Sequence, residues 1–414
     1  MLNLQFKTVS SRRHGLTLIE VMIAMVMTLV VLGAMMAAFS YGSTEMQKGR
    51  ASIELNNRLV AAEEQLRRDL DRITVELKPH HQLPALPKGY VEIIDGAQTD
   101  YVPGNDTTFS HGGNELVFGD RDDFFACTIK SEGRAFRGRR QYGANNDLIE
   151  SHLAEVVWFT VTVFDPNTSD PIDVLTIRRQ MLILPSLGVV GVATDYDTFV
   201  RENDISVRIE GGSLVANSLT DLAIRGNRFS HANTGLPGSS DLQTVALGDR
   251  YNENHIMFSS VAAFDVQVFD SNAYVRQILP DGEIVEPFDI GSRNSNVANR
   301  VGTFARLGAY VDLGKGINLA AADAGILGRA PTLPYAGEAV FDTGTSIYNR
   351  DASNDFGTNG VDDNGDGIVD DINEQDSIAP YNTPIRGLKF TMRALEPTTN
   401  QVRQLSVTKS FVAE

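Results

Sequence analysis

Two groups of residues are placed where their types and spacing could do chemistry. The first is Glu20. It lies inside an apolar run from Leu16 to about Ala38, whose other interruptions are the mild Thr17, Thr28 and Gly33. A carboxylate at membrane depth costs about 2.5–3.5 kcal/mol on insertion scales and asks for a cation. No Lys or Arg lies between Glu20 and Lys48. Its partner is therefore a chain terminus, another chain, or a proton. The second group is Asp362, Asn364, Asp366 and Asp370, in a segment, 351–376, that carries nine Asp or Glu and no Lys or Arg. Oxygen ligands at alternate positions, followed by Gly367, let a tight loop wrap a hard cation, with the carbonyl of Ile368 as a further ligand. Val369 can turn inward to anchor such a loop.

The element that carries Glu20 is a helix. About 23 residues at ~1.5 Å each span roughly 34 Å, enough to cross a bilayer. Residues 1–19 contain no Asp or Glu, and Lys7, Arg12 and Arg13 precede the apolar run. Basic flanks of this kind keep the N-terminus in the cytoplasm and send the bulk of the chain across. From Tyr41 to about Leu77 there is no proline. Leu55, Leu59, Ala62, Leu66, Leu70, Ile73 and Leu77 recur at three- and four-residue spacing, one face of an amphipathic helix. Pro79 and Pro84 end it. The expectation is one nearly continuous helix, its membrane half over 16–38 and its amphipathic half over 39–78.

Arg12-Arg13-His14-Gly15-Leu16-Thr17-Leu18-Ile19-Glu20 resembles the type IV prepilin signal, a short basic leader followed by a glycine and an apolar run with a glutamate at its fifth position. The resemblance implies a leader over 1–15, cleavage after Gly15 by a prepilin peptidase, and N-methylation of Leu16. It also implies that Glu20 pairs with the N-terminal amine of a neighbouring subunit, which supplies the missing cation. An ordinary secretory signal cut near Ala37-Ala38 would place a glutamate in its apolar region. A plain anchor accounts for the length but gives Glu20 no role. The stretch Leu66-Arg67-Arg68-Asp69-Leu70 is similar to the corresponding helix of W-type minor pilins and J-type minor pseudopilins.

Residues 79–414 read as β-rich. Ala154–Val163 and Val174–Leu184, joined by a turn-rich connection, read as a hairpin. Phe264–Phe269 alternates, as do Leu388–Ala394 and Gln401–Phe411, so these suit antiparallel sheet with one wet face. Glu115–Gly119 is a short apolar run, Leu219–Ile224 is open between strand, helical turn and loop, and 270–345 reads as long loops. The expected fold is α+β and pilin-like: a long N-terminal helix on antiparallel sheet, with large loop insertions or a second β-rich region. The chain is about twice the length implied by the resemblance to J-type pseudopilins.

The acidic segment resembles the calcium loop of EF-hand and dockerin-type proteins, with Asp362, Asn364, Asp366, Ile368 and Asp370 as ligands. Position 12 is Asn373 where an EF-hand has a bidentate glutamate, so a free-standing loop is the better reading. A solvated acidic spacer is the bland one.

Composition bounds the rest. The chain has 414 residues, 36 Lys or Arg against 53 Asp or Glu, and a formal net charge of −17. That balance argues against a general nucleic-acid binder. A basic patch at Lys130, Arg134, Arg137, Arg139 and Arg140 around Phe136 reads as a solvated loop or a contact to an acidic neighbour. The single cysteine, Cys127, excludes a disulfide framework within the chain and reads as a small buried residue. His80-His81 reads as a helix-end turn, and Gly308–Gly316 as a loop that is one residue too long for a phosphate cradle. No metalloprotease helix motif and no nucleophile elbow appears, so an enzyme is not expected. The expected function is a minor pilin or pseudopilin, a structural subunit of a type IV pilus or type II secretion-like filament. Its implied partners are other pilins, the prepilin peptidase, an inner-membrane platform protein and an assembly ATPase. It would sit in the inner membrane with its body in the periplasm. The alternative is a membrane-anchored, calcium-dependent binding or adhesion protein outside the cytoplasm.

Overall fold

The computed structural model describes residues 17–78, 88–95, 119–142, 145–164, 171–229, 255–278, 283–285, 303–313, 339–344, 384–396 and 401–411. The run 115–118, His80-His81 and the acidic segment 351–376 lie outside them. The chain divides into two units, Met1–Glu54 and Leu55–Glu414.

The described part of the first unit is helix. Helix α1 spans Leu18–Leu70, and its N-terminal half is long and apolar enough to cross a membrane. Its side chains are exposed here, from Leu18 through Phe39. The Thr28 hydroxyl donates to the Ala24 carbonyl at 2.7 Å, so this polar group is satisfied within the helix.

In the second unit α1 ends at Leu70, eight residues short of the expected 78. Ile73, Thr74 and Val75 follow, three β-branched residues that lose side-chain freedom in a helix and fit a strand. Ile73 bridges Ile129, the Thr74 amide donates to the Thr128 carbonyl, and the Lys130 amide donates to the Arg72 carbonyl. The chain leaves the helix because a strand edge offers its backbone better-placed partners.

The strands, in chain order, are β1 (Val91–Asp95), β2 (Phe124–Lys130), β3 (Phe136–Tyr142), β4 (Asn145–Ser151), β5 (Leu153–Phe164), β6 (Pro171–Leu182) and β7 (Val189–Val192). A short helix α2 (Tyr196–Glu202) precedes β8 (Val207–Glu210), β9 (Ser213–Ala216) and β10 (Ile256–Phe258). Then come β11 (Val261–Ile278), β12 (Glu283–Val285), β13 (Thr303–Val311), β14 (Ala339–Asp342), β15 (Gly387–Glu396) and β16 (Gln401–Ser410). The paired strands are antiparallel throughout. A six-stranded sheet has the order β10-β6-β5-β2-β1-β14. A second has β12-β11-β15-β16, with β13 also on β11. β3 and β4 form a hairpin, and β7-β9-β8 a small sheet.

The six-stranded sheet is covered on both faces. Ile93, Phe125, Cys127, Val156 and Trp158 meet the helix residues Leu55, Leu59, Ala62, Leu66 and Leu70, together with Phe264, Val266, Phe390 and Met392 of β11 and β15. Phe125 and Phe390 pack edge to face at 5.0 Å. On the other face Ile94, Phe124, Val157, Phe159 and Ile177 meet Tyr196, Val200, Val207, Leu214 and Leu222. The expected hairpins are β5/β6 and β15/β16, the latter pairing Phe390 with Val407 and Met392 with Leu405.

The loop expectation for 270–345 is corrected, since it holds the end of β11, all of β12 and β13, and β14. Likewise the first part of Gly308–Gly316 is the end of β13. Gly308 has φ +94°, and a β-carbon there would meet the Phe269 ring at 3.0 Å. The glycine that reads as a loop signal is therefore the residue that lets β13 close on β11. Leu219–Ile224 contains a single turn of 3₁₀-helix, Asp221–Ala223, and the side chains of Ser218 and Asp221 each accept from the other's backbone amide.

Candidate functional site

Gly15 and Leu16 lie outside the described residues, and the site begins at Thr17. The Thr17 amide and hydroxyl each donate to Glu20 Oε2 at 2.9 Å, and the Glu20 amide donates back to Thr17 Oγ1 at 3.3 Å. This is a reciprocal capping box, built by the Thr-x-x-Glu spacing at the first turn of α1. It satisfies the Thr17 and Glu20 amides at the helix start and gives the Glu20 carboxylate hydrogen bonds without giving it a counter-charge. The cap was readable from that spacing, but the sequence reading above assigned Thr17 no part.

Asp362, Asn364, Asp366, Ile368 and Asp370 lie outside the described residues. A different acidic group is assembled in the second unit. Asp95 closes β1, and Asp120 and Asp123 lie just before β2. All three are buried, and their carboxylate oxygens lie within 4.8 Å of one another. The segment 119–123 runs beside β11: Gly119 N donates to Ala262 O, Phe264 N to Asp120 O, and Val266 N to Asp123 Oδ2 at 2.6 Å. Burial, and then the charge of Asp123, lifts the Asp120 carboxyl well above the usual carboxylate range. Such a trio has the donor chemistry to share a proton or to hold a hard divalent cation. Sequence reading missed it because Asp95 and Asp120 are brought together only by the β1–β2 pairing.

The basic patch falls mostly on the β3–β4 hairpin and its approaches. Arg137 pairs with Glu150 at 2.8 Å, Arg139 with Asp204 at 3.4 Å, and Arg72 stacks over Phe136 at 5.7 Å. Its own acids answer part of its charge. Cys127 is fully buried, and burial pushes its thiol well above the usual range.

The second face of the six-stranded sheet is pegged by buried charge. Arg228 reaches Asp342 at 2.6 Å and Glu92 at 3.0 Å, and lies 3.9 Å over the Tyr90 ring. Burial opposes its charge, but Asp342 and Glu92 more than offset this and hold its ionisation well above the ordinary range. Glu155 accepts from the Tyr90 hydroxyl, the Ser206 hydroxyl and the Phe229 amide. These groups are buried and join strands and loops; they read as fasteners.

A long apolar N-terminal helix with a capped glutamate, followed by antiparallel sheets, defines an α+β protein of pilin-like plan. Residues 10–36 match the family model of the prokaryotic N-terminal methylation motif, so the chain carries a type IV prepilin-like N-terminus. That motif implies processing by prepilin peptidase and assembly with other pilins, and the apolar helix fits single-pass membrane anchoring. No curated protein and no solved structure matches the chain.

Proposed function

We propose that the protein is a minor pilin or pseudopilin, a structural subunit of a type IV pilus or type II secretion-like filament. It acts in assembly or tip formation and not as an enzyme. The observation that carries this reading is the methylation motif at residues 10–36 with Glu20 capped at the start of an apolar helix. In this reading the helix holds the precursor in the inner membrane, with its N-terminus cytoplasmic and its body periplasmic. Cleavage after Gly15 frees the Leu16 amine, and Glu20 attracts the amine of a neighbouring subunit. The platform protein and its ATPase supply the work of extraction.

Mass spectrometry of the protein purified from membranes of the native host tests this. N-methyl-Leu16 as the mature terminus supports it. An intact Met1, or cleavage near Ala38, overturns it in favour of an anchored binding protein.

We also propose that the 362–370 loop binds calcium, with the ion neutralising part of the cluster and pinning the segment ahead of β15. Five oxygens at alternating spacing support this. Calorimetric titration of the full chain in detergent should lose the binding event in the Asp362→Ala/Asp366→Ala variant. Unchanged affinity rejects the loop.

A further inference from the structure

The apolar stripe of α1 does not by itself fix how far along the sheet the helix lies. The buried positions of its last turns are Leu55, Leu59, Ala62, Leu66, Asp69 and Leu70. Seven residues further on, the same series reads Ala62, Leu66, Asp69, Ile73, Glu76 and Leu77. A slide of about 10 Å, seven residues at ~1.5 Å each, therefore puts apolar residues into four of the six slots again. Packed helices shift in discrete steps of this kind. In the slid arrangement Glu76 occupies the slot of Asp69, and the helix continues through Leu77.

One slot separates the two arrangements. Asp69 is fully buried and accepts four hydrogen bonds: from Arg178 Nε at 2.7 Å, Arg178 Nη2 at 2.8 Å, the Trp158 indole at 3.0 Å and Gln65 Nε2 at 3.0 Å. A bidentate guanidinium–carboxylate pair is directional, and a leucine contact is not. After the slide Asp69 would enter the slot of Ala62, which is fully buried and lined by the apolar cluster. A charge stranded there costs far more than a mismatched methyl group. We propose that Asp69 is a positioning residue that selects the register of α1 on the sheet, by pairing in one arrangement and by its desolvation cost in the other. The slots and the sheet that define this register all belong to the second unit, and the proposal holds whatever the chain assembles with. A lone polar residue that sets the register of apolar helices is the same device at work in coiled coils.

The consequence for variants is specific. In Asp69→Ala the native register leaves Arg178 and the Trp158 indole without their carboxylate, while the slid register brings Glu76 to them. Register is read by a disulfide between Ile73→Cys and Ile129→Cys, a bridged antiparallel pair whose spacing suits the bond. The measurement uses the full chain in detergent micelles with Cys127→Ala.

The parent should close the bond readily and protect the Thr74 and Lys130 amides from exchange. Asp69→Ala should close it at least tenfold more slowly, lose that amide protection, and gain helical signal from 71–77. An unchanged rate with only a lower melting midpoint overturns the proposal, since Asp69 would then add cohesion and no register. If Asp69→Ala does not fold, Asp69→Asn keeps the volume and an acceptor for Trp158. A slower closure there supports the proposal, and an unchanged one overturns it.

Discussion

At the scale of residues, the chain treats two of its charges in opposite ways, the exposed Glu20 and the buried Arg228. Glu20 is held by the hydroxyl and amide of Thr17, neutral groups that orient a carboxylate and leave its charge available to a cation from elsewhere. Arg228 is the opposite case, with its guanidinium enclosed by Glu92, Asp342 and two carbonyls. Gly344 is part of that enclosure: a β-carbon there would lie on the Arg228 guanidinium and 2.6 Å from the Ala223 carbonyl oxygen. Breaking such a buried pair costs about 3–5 kcal/mol, because the carboxylates stay behind uncompensated. Arg228→Met should therefore lower the unfolding free energy of the body by that amount, read as a lower urea midpoint at unchanged m. A loss below about 1 kcal/mol would mean that the carboxylates find water or protons. Glu20 was legible in the sequence because an acid in an apolar run is anomalous wherever it occurs. The Asp95, Asp120 and Asp123 trio was not, because no local period connects residues that meet only through strand pairing.

At the scale of elements, the amphipathic part of α1 is a packing helix. Leu66 is fully buried against the six-stranded sheet, whereas Val60 on the same helix is 38% exposed. Leu66→Ala should destabilise by about 2–5 kcal/mol, the range for a large-to-small core change. Val60→Ala should stay within about 1 kcal/mol, and thermal melts of the two variants side by side would check the contrast. The β15/β16 hairpin was legible because Leu388–Ala394 keeps the two-residue period of a strand with one inner face, and β5/β6 because β5, buried on both faces, is a run of β-branched and aromatic residues followed by a turn-rich connection. β13 and β14 were not, since their glycine, alanine and short length carry little periodic signal and their burial comes from neighbours distant in sequence. The helix end was misplaced for a related reason. Ile73 and Leu77 continue the helical spacing, but the β2 edge competes for the backbone of Arg72 and Thr74 and wins.

At the scale of the whole molecule, acid should loosen the body. His255 sits before β10, and its pKa is depressed to about 3, first by burial and then by the charge of Arg179. The charge of Asp204 works against that depression, and the charges of Arg139 and Arg178 add to it. A group whose folded pKa lies below its unfolded value stabilises the fold above the unfolded pKa and loses that contribution as pH falls through the folded one. For His255 the window runs from about 6.5 down to about 3. Asp204, held below its ordinary range, acts in the same direction lower down: burial raises its pKa, but Arg179 and Arg139 more than offset that. The lifted Asp120 carboxyl works in the opposite direction as pH falls, so the His255 contribution is read as a difference: between those limits the melting temperature of the parent should fall relative to that of His255→Gln. A curve unaltered by that substitution would assign the acid sensitivity to the carboxylates alone.

The pairing of β1 with β14 carries a consequence for biosynthesis. Along one edge β1 pairs with β2, close in sequence, but along the other Glu92 through Asp95 find their partners at Ala339–Asp342. At about 5–20 residues per second of translation, the interval between the two strands lasts tens of seconds. Throughout that time the backbone along the outer edge of β1 lacks its ladder partner. A holding chaperone that covers this edge is the natural guard against premature aggregation during that wait.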